Sequence, residues 1–102
     1  MRSAPTMIRS TCPAAINDAA WVGDAVLALF ARQFVLRERR TMDGEWFTRL
    51  TSNEFLSAFG NPTRVEAGIG RIYQEGGLDA AFAWMETHLI PLFRKQVAAK
   101  RY

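Results

Sequence analysis

Two carboxylates in apolar surroundings are the residues of this chain whose type and placement best suit chemistry. Asp24 stands in "AAWVGDAVLALF", residues 19–30, where every neighbour is apolar or glycine. Glu66 stands in "TRVEAGIG", residues 63–70, again beside apolar and small residues. An acid on a helix that is covered on most sides is costly unless it is paired, hydrogen-bonded or holding a cation. Two such acids on two packed helices would face one another as hard oxygen ligands for Mg²⁺. A plainer arrangement is equally open, with Asp24 on a wet stripe of its helix or paired with Arg64 or Arg71.

Positioning the acids takes helices. Pro13 suits a first turn, and from Ala14 the positions Ile16, Ala19, Ala20, Gly23, Leu27, Phe30 and Phe34 follow helical spacing, which predicts a helix to about Val35 or Leu36. Trp21, Val22, Val26 and Leu29 make its other faces apolar too, so neighbours are expected to cover most of its circumference. Asp43 and Gly44 then supply a turn. Trp46, Phe47, Leu50, Phe55, Leu56 and Phe59 predict one helix, or two short ones meeting near Thr51 and Ser52. Gly60 ends that segment and Pro62 or Thr63 opens the helix of Glu66, with Val65, Ile69, Ile72 and Tyr73 as its apolar positions. Gly68 and Gly70 each cost about 1 kcal/mol of helix propensity, which predicts close backbone packing there. "EGG", residues 75–77, breaks the chain again. A last helix with Leu78, Ala81, Phe82, Met85, Leu89, Leu92 and Phe93 follows, with a kink expected at Pro91. No alternating strand pattern and no repeat occurs, so the class is all-α.

At 102 residues the chain has room for one domain, and its 49% apolar and 23% charged residues exclude a disordered or fibrous protein. The expected organisation is a flexible N-terminal segment over residues 1–13, a folded domain over 14–98 and a basic tail over 99–102. No uninterrupted apolar run reaches the roughly 18 residues of a membrane span, so no membrane partner is expected. Cys12 is the single cysteine; it excludes an internal disulfide and suits a reducing, intracellular setting. The net charge of +3 gathers in "RERR", Arg37 to Arg40, and in the tail, which suits a polyanion and equally suits solvated helix ends. The first seventeen residues carry Arg2 and Arg9 and no acid, a composition shared by mitochondrial transit segments and ordinary chain termini. Cytoplasm and mitochondrion both remain open.

Three segments, in order, carry a resemblance. "AAWVGDAVLALFARQFVL" resembles the signature helix of the ribonuclease III family, in which Gly-Asp-Ala/Ser-Val-Leu follows an aromatic and an aliphatic residue. "RLTSNEFLSAFG" is similar to that family's Ser-Asn-Glu helix, and "VEAGIGRIYQEGGLDAA" to its Glu-Ala-Leu-Ile-Gly-Ala-Ile-Tyr-x-x-Gly-Gly segment. Together they span about half of the chain. The resemblance implies a ribonuclease III-like helical domain that pairs as a homodimer, or as a heterodimer with another ribonuclease III-like chain. It also implies a valley between the partners that receives double-stranded or structured RNA, with Mg²⁺, or Mn²⁺ in its place, promoting phosphodiester hydrolysis. On this reading Asp24 and Glu66 are the catalytic metal-site carboxylates, and Asn53 and Glu54 fall on the Ser-Asn-Glu motif. Arg37, Arg39, Arg40, Asn53 and Arg64 are the expected RNA contacts. The lone His88 is a surface or packing residue.

The departures from the family pattern are specific. A glutamate usually stands four residues before the aspartate, and here that position is Ala20; an aspartate usually stands three before the glutamate, and here it is Thr63. Half of a four-carboxylate cluster is absent. Mini-ribonuclease III, a nuclease without a separate RNA-binding domain, looks similar in both respects. Asn17, seven residues before Asp24 and on nearly the same helix face, is more simply a plain helix-surface residue, with a further oxygen or a held water for the site as the alternative. The chain is also short in the middle, since Pro62 follows Phe59 almost at once, and the double-stranded RNA-binding domain of longer relatives is not expected. Two functions follow, with the balance slightly toward the first: a reduced Mg²⁺-dependent endoribonuclease trimming structured RNA such as ribosomal precursors, or an inactive ribonuclease III-like platform in a ribosome or RNA-processing complex. A small helical interaction module with Asp24 as a surface acid is the third.

Overall fold

A computed structural model describes residues 13–99 and is all-helical, with no strand among the described residues. The expected basic tail over 99–102 and all but the last residue of the expected flexible segment lie outside it, Ala99 excepted. Helix α1 runs Pro13–Arg39, α2 Gly44–Thr51, α3 Asn53–Leu56, followed by a 3₁₀ turn at Ser57–Phe59; α4 runs Pro62–His88 and α5 Ile90–Ala99.

Helix starts follow from side-chain caps. Asp43 accepts from the Trp46 N–H at 3.1 Å, Ser52 from the Phe55 N–H at 3.0 Å and Asn61 from the Arg64 N–H at 3.1 Å, each satisfying a donor that the first turn leaves open. Ser52 therefore divides the second amphipathic segment into α2 and α3 where expected. Its hydroxyl also donates to the Arg49 carbonyl at 2.8 Å. Helix α1 continues past the last apolar position to Arg39, because arginines are good helix formers and favour the negative end of the helix dipole. Arg40 closes it at φ 64°, with its N–H on the Leu36 carbonyl.

Gly77 interrupts α4 at φ 84°, a conformation that other residues adopt only at a cost, so the expected break is a sharp kink within one long element. Beyond it the chain lies along the C-terminal half of α1, where Phe82 meets Phe30 at 5.3 Å. Pro91 behaves differently from expectation. It does not kink a continuing helix but sits in the first turn of α5, where its missing N–H is not needed, and the division falls at Leu89.

The core sits between α1, α4 and the short helices. Leu27, Phe30, Phe34, Leu50, Phe55, Ile69, Met85 and Phe93 are buried, and the Phe93 ring packs edge-on against Phe34, Trp46 and Phe55. A smaller cluster of Ile16, Ala19, Ala20 and Ala67 joins the start of α1 to α4. One expectation is overturned: neighbours do not cover most of α1. Trp21 is 81% exposed, and Leu29, Leu36 and Asp24 also face outward, because the other helices gather on a single side of α1. By length and composition α1 matches a membrane span, with mean hydropathy 1.4, yet half of that stretch is buried within the protein. It serves as the core helix.

A candidate two-carboxylate site

The crossing of α1 and α4 has almost no side chain in it. A methyl built on Gly23 would collide with the Glu66 carbonyl and stand 2.9 Å from the Gly70 nitrogen. One built on Gly70 would collide with the Ala19 carbonyl and stand 3.0 Å from the Gly23 nitrogen. Ala19 and Gly23 on one helix, and Glu66 and Gly70 on the other, are each four residues apart and so share a face. Backbone therefore rests on backbone. Asp24 follows Gly23 and projects from the edge of this crossing, where it meets Glu66.

The two carboxyl groups share a hydrogen bond. Burial pushes the Glu66 carboxyl up to about 7, and the negative charge of Asp24 and the hydrogen bond between them add to the rise. Glu66 is half-buried and Asp24 exposed, so burial acts on Glu66, which is the member of the pair that takes up a proton as pH falls through about 7. Asp24 is thus a solvent-facing acid with a carboxyl partner across the helix crossing.

Mg²⁺ is usually held by one or two carboxylates with water and substrate phosphate completing its shell, and Asp24 and Glu66 are two hard oxygen donors brought together. A pair that must hold a proton near neutral pH is one in which a cation would relieve the same repulsion. Among the described residues no third His, Cys, Asp or Glu joins the pair. Ala20 is buried in the small apolar cluster, whereas Thr63 and Asn17 are exposed.

The expected RNA contacts are scattered. Arg37 lies about 20 Å along α1 from Asp24 at 1.5 Å per residue. It pairs with Glu38 and Glu86 at 3.4 Å, and Arg39 pairs with Asp43 at 3.1 Å. Exposed ion pairs are weak, so these arginines remain exchangeable toward phosphate. Arg40 and Asn53 are exposed, and Glu54 pairs with Arg49 at 3.2 Å. Arg64 stands two residues from Glu66, about 200° round the helix, and so points away from the carboxylates. His88 is exposed and stacks on Trp84.

Sequence reasoning located both acids and Gly70 but missed the parts played by Ala19 and Gly23. Small residues at a four-residue spacing were the available signal. Gly68, the other glycine expected at a close contact, has nothing within 4 Å of where its Cβ would be. The chain matches no protein-family model, no curated protein and no solved structure.

Proposed function

We propose that this protein is a reduced ribonuclease III-type endoribonuclease that hydrolyses phosphodiesters of double-stranded or structured RNA with Mg²⁺, or Mn²⁺, at Asp24 and Glu66. The observation that carries the reading is the hydrogen-bonded carboxylate pair at the Gly23–Gly70 crossing. It lies in a chain whose three family-like segments occur in family order.

Asp24 and Glu66 would hold the ion, which when bound supplies an activated water and neutralises charge building on the scissile phosphate. Asp24 is the ligand presented to solvent, where a phosphate would approach. Glu66 must first release the proton it shares with Asp24, so metal affinity should rise with pH through about 7. Arg37, Arg39 and Arg40, farther along α1, would meet phosphates at a distance from the cut.

The absence of a third acidic or imidazole ligand among the described residues favours a second reading, an inactive platform that binds RNA or sits in a ribosome or RNA-processing complex. One experiment separates them. A long RNA duplex incubated with wild type, Asp24→Asn and Glu66→Gln in Mg²⁺ should be cut by the wild type alone. A duplex that all three proteins bind equally and none cuts would establish the platform and dismiss the nuclease.

Pairing of two chains belongs to the same proposal. Trp21, Leu29 and Leu36 fall within about 80° of one another round α1, forming an apolar stripe beside Asp24. The stripe runs toward a hollow of about 290 Å³ lined by Val35, Leu36, Met42 and Phe47. An indole 81% exposed on such a stripe is a natural interface anchor. Sedimentation of the wild type at micromolar concentration should give a dimer and Trp21→Glu a monomer. A monomeric wild type would remove the basis for two-strand cleavage by a homodimer.

A further inference from the structure

Glycine is a poor helix former, and α4 carries Gly68 and Gly70 in the turn before Ile72. Gly70 is explained by the crossing with α1. Gly68 is not, since nothing lies within 4 Å of its Cβ position. It opens instead into a groove of about 730 Å³ on the side of α4 away from Glu66. Arg64, Gly68 and Ile72 are spaced by four and share that side.

The groove has a definite chemistry. Phe59, Val65, Ile72 and Trp84 make its lining mainly apolar, Arg64 and Arg71 add positive charge, and no carboxylate lines it. His88, stacked on Trp84 at 4.5 Å, borders one end. Arg37, Arg39, Arg49 and Arg94 each have a carboxylate partner, whereas Arg64 has no ion pair among the described residues. Protein–nucleic acid contacts are wet and strongly polar, which an apolar lining suits poorly. An amphipathic helix laid in a groove needs what is present: apolar pockets for its buried stripe, complementary charge for its flanks and a small residue where backbones meet.

We propose that this groove receives an acidic amphipathic helix of a partner protein, which rests on α4 at Gly68 as α1 rests on it at Gly70. The assignment is independent of the carboxylate site and gives Arg64 a protein partner in place of RNA.

The probe is a fluorescein-labelled helical peptide of roughly 15–18 residues, long enough to be helical alone, with leucines at helical spacing and glutamates on both flanks. A second peptide carries lysine at every glutamate. By fluorescence anisotropy against the full chain, the acidic peptide should bind at least about tenfold more tightly than the basic one. Gly68→Leu starts from a Cβ position with nothing within 4 Å and projects into the open groove, so it should melt no lower than wild type and still weaken the acidic peptide by about tenfold or more. Arg64→Glu, a surface change, should narrow or reverse the preference between the peptides. Equal binding of the two peptides would overturn the proposal, as would acidic-peptide affinity unmoved by Gly68→Leu. A single-stranded RNA that displaces the acidic peptide and is itself weakened by both variants would assign the groove to nucleic acid instead.

Discussion

Gly23→Ala is expected to lower the melting temperature by roughly 10–20 °C, the largest loss expected from adding a single methyl to this protein. The added carbon would overlap the Glu66 carbonyl and approach the Gly70 nitrogen, and both are backbone atoms of a helix that cannot rotate aside. Overpacking ordinarily costs about 1–3 kcal/mol, and a clash with backbone belongs at the upper end or beyond. The gain in helix propensity from glycine to alanine returns about 1 kcal/mol, leaving a net loss of about 2–3 kcal/mol. Relief requires the helices to part, which loosens the cluster of Ile16, Ala19, Ala20 and Ala67 and carries Glu66 away from Asp24. Thermal unfolding by circular dichroism measures the loss. Gly68→Ala is the matched control, expected to be neutral or slightly stabilising because its methyl meets nothing. If the two variants melt together, the backbone contact is not what holds the crossing.

Glu66→Gln should make the metal-free protein more stable at pH 8 while removing the Mg²⁺ response and RNA cleavage that the proposed function expects. The sign follows from the direction of the shift. Glu66 is raised from 4.5 to about 7 in the folded state, so between those values the folded chain binds more protons than the unfolded one and stability falls as pH rises. The loss is complete above about pH 7 and absent below about pH 4.5. Allowing for partial exposure, it is on the order of 1–3 kcal/mol. Glutamine keeps the shape and a hydrogen-bond donor for Asp24 but never ionises, so the variant should match wild type near pH 4 and exceed it near pH 8. Chemical denaturation across that range in EDTA measures the difference, and parallel pH profiles for the two proteins would reject the account of the pair. Millimolar Mg²⁺ should then raise the melting temperature of wild type at pH 8 and leave Glu66→Gln unmoved.

Much of the fold could be read from the order of residues. Seven positions spaced along residues 16–34 are all buried on α1, and Asp43, Ser52 and Pro62 mark the helix starts where turn chemistry places them. Such features depend on neighbours within one or two turns, which is the range over which periodicity, caps and breakers act. Pro91 shows the limit, since one residue is a kink or a first-turn position according to whether the preceding helix has already ended.

What the sequence determined by itself is therefore local: an all-helical chain, its divisions, and two acids set in apolar segments. Tertiary structure alone decided that Gly23 and Gly70 meet, that Asp24 consequently faces Glu66, and that the proton is shared between them. It also decided which apolar residues stay outside, making Trp21 the exposed indole, and it gave Arg37 and Arg39 carboxylate partners. The physical reason is common to these cases. Burial, charge repulsion and backbone contact depend on distances between segments remote in the chain, and helical spacing specifies a face without specifying what lies against it.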